Sequence, residues 1–222
     1  MATQEASAEG ELTLGLASRE SVNRLPEPAP KQETPVAKVP ADLVTVVVPA
    51  MNEERFIGPC LDSILSQDES NLQVLVVDGG SSDGTLAVVH QYAARDPRVE
   101  FLSAGRTIGS SLNAGLRAAR GRWLVRVDAH STIPPGYVSG LVDHLRTGEW
   151  GGVGGRKEGI ATSPTGRAIG AALSSRFGVG NSVYHHGTRV RVVDHVPFGA
   201  YPTSLVRGAG GWDERLHANE DF

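Results

Sequence analysis

Asp128-Ala129-His130 is the most chemically suggestive triplet in the chain. A carboxylate and an imidazole two residues apart, at the end of a strand, can both reach one divalent ion. Carboxylate suits Mg2+ or Mn2+, and the added imidazole tilts the choice toward Mn2+. A cation held there beside a diphosphate would neutralise charge developing on that leaving group. Two other polar stretches close apolar runs in the same way: Pro49-Ala50-Met51-Asn52-Glu53-Glu54 and Asp78-Gly79-Gly80-Ser81-Ser82-Asp83-Gly84. Taken singly, Asn52, Glu53, Ser82 and Asp83 read equally well as helix caps. Three such stretches at successive strand ends point instead to one crevice, because ligands of open α/β sheets bind beyond the carboxyl ends of the strands. Asp78 follows the apolar run Val74-Leu75-Val76-Val77. Its carboxylate can take N–H bonds from a base, a bond from a ribose hydroxyl, or serve as a turn-forming Asx residue. Asn113 stands in the small-residue stretch Gly109-Ser110-Ser111-Leu112-Asn113-Ala114-Gly115, which permits close approach of a ligand.

The elements that must position these residues alternate. Residues 43–48, 72–77, 99–102 and 122–127 are β-branched or apolar runs of strand length. Helical spacing of apolar residues fills 54–66, 83–94, 108–119 and 134–146, the last with Pro134-Pro135 in its first turn. Strands alternating with helices at this interval predict βαβ units and a mainly parallel sheet. Beyond Trp150 the reading gives a glycine-rich strand over 151–156, a helix over 165–177, and strands over 190–193 and 200–206. Residues 1–40 differ in kind: they lack aromatics and hold five of the 13 prolines. They read as a disordered tail and linker, with a marginal short helix over 11–19. Residues 41–222 are then expected to form one domain, and with no element after Glu220-Asp221-Phe222 they read as a domain truncated at its C-terminus.

Composition narrows the function classes. A net charge of −4 and a pI near 6.0 lack the basic footprint of a nucleic-acid binder. The single cysteine, Cys60, rules out an intrachain disulfide framework and reads as a small buried core residue. Glycine, at 27 of 222 residues, stands well above the usual ~7%. Met1-Ala2-Thr3-Gln4-Glu5 does not read as a secretory leader, and no run of ~18 apolar residues occurs. The expected location is cytoplasmic, with peripheral association at the inner membrane face compatible with it. GxxxxGK[ST] and HExxH patterns are absent, and no GxGxxG follows the first strand. His185-His186 reads as surface.

Five motifs in order resemble those of family 2 inverting glycosyltransferases. They are residues 44–54, residues 76–85, residues 112–121, Asp128-Ala129-His130 and Glu220-Asp221. Together they cover roughly 43–222. The second carries Gly79 where many members have another Asp, and His130 stands where most have Asp. Val127–Ser131, Pro134-Pro135 and Phe177-Gly178-Val179-Gly180 most resemble succinoglycan-type exopolysaccharide enzymes. The resemblance implies a GT-A fold: a nucleotide-binding, mainly parallel sheet flanked by helices, with a smaller acceptor-side region. It also implies a nucleoside-diphosphate sugar donor, commonly a UDP-sugar, and a saccharide or lipid-linked saccharide acceptor. By motif, Pro49, Ala50, Asn52 and Glu53 line the nucleoside pocket and Asp78 binds the base. Ser81 and Asn113 join the donor-binding set. Asp128 contacts ribose or the Mn2+ or Mg2+ ion, and His130 ligates that ion. Asp221 is the general base, with Glu220 its competitor. Two rival readings stand beside this one: a sugar nucleotidyltransferase, disfavoured by Asn52-Glu53-Glu54 where such enzymes carry a glycine-rich basic loop, and a non-catalytic nucleotide-sugar-binding fragment.

Overall fold

The computed structural model describes residues 15–18, 42–156, 158–160, 163–173, 190–193, 196 and 199–216. The alternation expected from the sequence is present. Strand β1 (Gly15–Ser18) precedes β2 (Val44–Ala50), α1 (Ile57–Leu65), β3 (Leu72–Asp78), α2 (Thr85–Arg95), β4 (Val99–Ser103) and α3 (Ile108–Ala118). Then come β5 (Trp123–Arg126), α4 (Tyr137–Arg146), β6 (Trp150–Gly154), α5 (Pro164–Leu173), β7 (Arg191–Val192), β8 (Ala200–Pro202) and α6 (Thr203–Gly208).

The strand order is β4-β3-β2-β5-β8-β6-β1-β7. The first four pair in parallel, β8 runs antiparallel between β5 and β6, and β1 pairs antiparallel with β6. The chain therefore moves outward from β2 to β4, then returns to lay β5 on the other side of β2. That reversal opens a crevice beyond the carboxyl ends of β2 and β5, between loops drawn apart to opposite sides.

Period-two alternation along β2 sends Val44, Val46 and Val48 to one face and Val47 to the other. The first face packs on Ile57, Cys60, Leu61 and Ile64 of α1 and on Val138, Leu141 and Leu145 of α4. The second packs, with Leu75 and Val77, on Leu112 and Leu116 of α3. Helix α3 lies close because Gly115 has no side chain: a Cβ there would stand 2.5 Å from Val47 Cγ1. At the amino ends of the strands a buried polar network closes the sheet. Thr45 Oγ1 donates to Gln73 Oε1 at 2.8 Å, Gly121 N–H donates to Thr45 Oγ1 at 2.8 Å, and Thr203 Oγ1 donates to the Gly121 carbonyl at 2.7 Å.

Two readings of the sequence are corrected. Residues 200–206 are not one strand, because β8 stops at Pro202 and α6 starts at Thr203. Proline supplies no ladder donor, and its φ of −60° leads into the helix. Within the segment read as a tail with a marginal helix, Gly15–Ser18 is instead a strand paired to β6. A nine-residue helix gains nothing without packing, whereas the β6 edge offers backbone partners. The helix expected over 165–177 is described from Pro164 to Leu173. His185 and His186 lie outside the described residues, as does Phe177-Gly178-Val179-Gly180.

Candidate functional site

The loops after β2 and β3 are stitched together by their own polar side chains. Asn52 adopts φ 58°, a left-handed conformation that Asn tolerates better than most residues. This lets its N–H donate to Ser81 Oγ at 2.9 Å while its Oδ1 accepts from Ser82 N–H at 2.8 Å. One residue on, Glu53 N–H donates to Thr85 Oγ1 at 2.7 Å. Glu54 and the Asp83-Gly84 turn exchange two more bonds, Glu54 N–H to Asp83 Oδ2 at 3.2 Å and Gly84 N–H to Glu54 Oε2 at 3.0 Å. Bonding to Thr85 holds the Asp83 carboxyl below its usual range. Asp78 is buried, and its carboxylate accepts from Gly80 N–H at 2.9 Å and Ser81 N–H at 3.1 Å. The loops therefore arrive as a preformed rim.

Beyond the end of β5, Asp128 and His130 each have one ligating atom already engaged. Arg126 Nε donates to Asp128 Oδ1 at 3.0 Å, and the two side chains are only 6% and 13% exposed. His130 Nδ1 lies 3.0 Å from Glu53 Oε1. Among the described residues nothing is hydrogen-bonded to Asp128 Oδ2 or to His130 Nε2. Beneath them, Cys60 Sγ donates to the Asp128 carbonyl at 3.6 Å. Burial pushes the Cys60 thiol up to about 12, with the Asp128 and Glu53 carboxylates adding to the shift, so it stays protonated. Among the described residues no three His, Cys, Asp or Glu side chains cluster to hold an ion. A hard oxygen and an imidazole nitrogen suit Mn2+ or Mg2+ in type, but two ligands leave most of the shell to be filled by a ligand such as a diphosphate.

Two open cavities meet at these residues. One, of about 160 Å³, is lined by Pro49, Ala50, Met51, Glu53, Gly79 and the Arg106-Thr107-Ile108 turn, with Ser111, Asp128 and His130. The other, of about 230 Å³, runs from Asp128 and His130 past Ile133, Pro134 and Tyr137 to Gly155 and Arg156. Asp128 and His130 line both.

Of the residues singled out from sequence, Pro49, Ala50, Glu53, Asp128 and His130 come together around the smaller cavity. Asn52, Asp78 and Ser81 stand in the stitched rim: Asn52 and Ser81 bond across the two loops, and Asp78 bonds within its own. Asn113 points elsewhere. Its Nδ2 donates to the Trp212 carbonyl at 2.8 Å and to Glu214 Oε1 at 2.9 Å, and its Oδ1 accepts from Trp212 N–H at 2.9 Å. Here it anchors the 212–214 segment to α3. Glu220 and Asp221 lie outside the described residues. Sequence reasoning missed Arg106, Thr107, Ile108 and Ser111, which enter because the turn after β4 leads into α3, with Thr107 Oγ1 capping Ser110 N–H at 3.1 Å. It also missed Arg126, although a lone arginine two positions before Asp128 in an apolar strand lies on the same strand face and signals a buried partner.

Comparison with known proteins shows the family and the fold. The family model described as glycosyl transferase family 2 matches residues 45–196. Succinoglycan biosynthesis protein ExoA of Rhizobium meliloti is 32% identical over 181 residues, which is 79% of this chain and 54% of that protein. The chain thus spans about half the length of that relative. Among solved structures, the mannosyltransferase PcManGT from Pyrobaculum calidifontis in complex with GDP-Man and Mn2+ superposes with a TM-score of 0.58 at 22% identity. That match covers 91% of this chain and 55% of that one. S. aureus TarS in complex with UDP gives 0.56 at 19% identity, over 81% and 52% of the two chains. At these identities the structures show a shared fold, the GT-A arrangement of a mainly parallel sheet flanked by helices.

Proposed function

The chain belongs to glycosyl transferase family 2, and from that premise we propose that it transfers a sugar from a nucleoside-diphosphate sugar to a hydroxyl acceptor. We take the nucleotide to be UDP, the acceptor a saccharide or lipid-linked saccharide, and the outcome inversion at the anomeric carbon. Its place would be in exopolysaccharide or envelope glycan synthesis, at the cytoplasmic side of a membrane. Residues 41–222 carry this activity, with Gly15–Ser18 of the preceding segment paired to β6 of their sheet.

The observation that carries the proposal is the wall formed by Asp128 and His130 between two cavities. A diphosphate on that wall would put its nucleoside into the smaller cavity and its sugar toward the larger. Pro49 and Ala50 would flank the nucleoside, and the stitched loops would hold that rim rigid. Arg106, at the start of α3, would offer a guanidinium to anionic oxygen. Asp128 Oδ2 and His130 Nε2 would hold Mn2+ or Mg2+, which supplies charge neutralisation at the leaving diphosphate. Asp221 would take the proton of the acceptor hydroxyl as its oxygen bonds to the anomeric carbon and the bond to the diphosphate breaks. The printed ligands of the two structural neighbours, UDP and GDP-Man with Mn2+, support a donor of this class.

Calorimetric titration with UDP, with and without Mn2+, tests the reading. Binding that depends on Mn2+ and is lost in His130→Ala is expected. Failure of the folded wild-type protein to bind any nucleoside diphosphate would overturn it. For the base, Asp221→Asn should abolish transfer while donor binding persists, and transfer at the wild-type rate would remove Asp221 from that role.

A further inference from the structure

A histidine used as a ligand poses a problem that an aspartate in the same place does not. Neutral imidazole has one lone pair, and whether it sits on Nδ1 or Nε2 depends on which nitrogen finds an acceptor for its proton. His130 is an exposed side chain, 59% accessible, so packing does little to fix its ring. Among the described residues its one partner is Glu53 Oε1, 3.0 Å from Nδ1. Glu53 is well placed to orient a neighbour. Its side chain is only 19% exposed, its N–H is held by Thr85, and its carbonyl accepts both Phe56 N–H and Ile57 N–H at 2.9 Å.

We infer that Glu53 is a positioning residue for His130: its carboxylate accepts the Nδ1 proton, fixes the ring and leaves Nε2 as the only lone pair for a cation. The inference rests on the reading of Asp128 and His130 as a diphosphate-linked cation site, and it gives Glu53 a task distinct from touching the nucleoside. Arg126 does the corresponding work for Asp128 by occupying Oδ1. Among the described residues each of the two side chains thus reaches the cavity wall with one atom tied and the other without a partner. Outer partners of this kind typically change metal affinity by about 10- to 100-fold when removed.

The test uses the full chain, with Mn2+ titrated in the presence of UDP. Glu53→Ala should weaken Mn2+ binding by about 10-fold or more. Glu53→Gln, whose amide oxygen can still accept from Nδ1, should retain most of it. In a His130→Asp background, where no tautomer needs fixing, Glu53→Ala should have little effect. An equal loss in both backgrounds would overturn the inference, since it would mean that Glu53 acts on the fold or on UDP and not through the ring. A second readout needs neither metal nor variant at Glu53. Nitrogen chemical shifts of labelled histidine in the metal-free protein, recorded where the imidazole is neutral, should show His130 as the Nδ1–H tautomer. The His130→Ala spectrum assigns the signal, and an Nε2–H tautomer would overturn the orienting bond outright. Absence of UDP-dependent Mn2+ binding in the wild type would instead overturn the donor reading, and the role of Glu53 toward a cation with it.

Discussion

Replacing Arg126 by methionine removes a positive charge from the middle of the sheet and leaves Asp128 without its nearest counter-charge. Charges about 4 Å apart attract by ~4 kcal/mol at an effective dielectric of 20. Much of that is offset by the desolvation of both ions, so the intact pair adds little net stability. Removing one partner is another matter and typically costs ~3–5 kcal/mol, because the remaining charge stays buried. Asp128 borders a cavity that water can enter, so the lower end, about 3 kcal/mol, applies. For a chain of this size that lowers Tm by roughly 6–12 °C. Asp128→Asn strands the guanidinium in the same way and should cost a similar amount. Arg126 also has interactions besides this one, so the double variant is the diagnostic measurement. Urea unfolding of Arg126→Met, Asp128→Asn and the pair should give a coupling at the upper end of the ~0.5–3 kcal/mol range for residues in contact, the double variant being more stable than the two losses added together. Additivity within ~0.5 kcal/mol would show that the two groups are independent and refute the reasoning.

Asn113→Ala should lower stability by ~1–3 kcal/mol through the unpaired Trp212 backbone groups, yet leave UDP affinity unchanged in calorimetry; a loss of UDP affinity with stability intact would return Asn113 to the donor site. Gly115→Ala forces a methyl against Val47 and should cost ~1–3 kcal/mol by thermal unfolding, with Val47→Ala recovering part of it; no recovery would mean that the strain lies elsewhere. The Cys60 thiol should resist alkylating reagents in the folded protein and react once it is unfolded. The same group sets a pH dependence. The folded thiol holds its proton up to about 12, while the unfolded one loses it from about 9, so the folded state binds more protons in that interval and stability falls as pH rises through it. Tyr92 and Tyr137, both pushed up to about 12, chiefly by burial, act in the same direction. A Tm that holds constant or rises above pH 9 would contradict this.

The parallel half of the sheet was legible because its strands are continuous apolar runs and its helices have regular apolar spacing. Both signals are local. The region after Trp150 was less so: β6 is glycine-rich, β8 has three residues, and Pro202 divides a run that otherwise looks like one strand. The site was legible where a polar residue closes an apolar strand, as at Asp128 and Glu53. It was not where side chains serve each other. Nothing local tells that Asn113 spans 99 positions to reach Trp212, or that Asp78 turns back on its own loop. The Glu53–His130 contact joins positions 77 apart, and only the parallel pairing of β2 with β5 brings them within reach.

The wall shared by the two cavities has a practical consequence for ligand design. A molecule that fills one side reaches Asp128 and His130 from that side only, and leaves the other cavity open to solvent. On the proposed donor reading, joining a nucleoside fragment to an acceptor-like fragment across those two residues would make the second contact intramolecular, so its strength would be governed by effective concentration and linker length. Because the same two side chains border both spaces, the best linker would be short, and lengthening it should weaken the ligand steadily without changing either fragment.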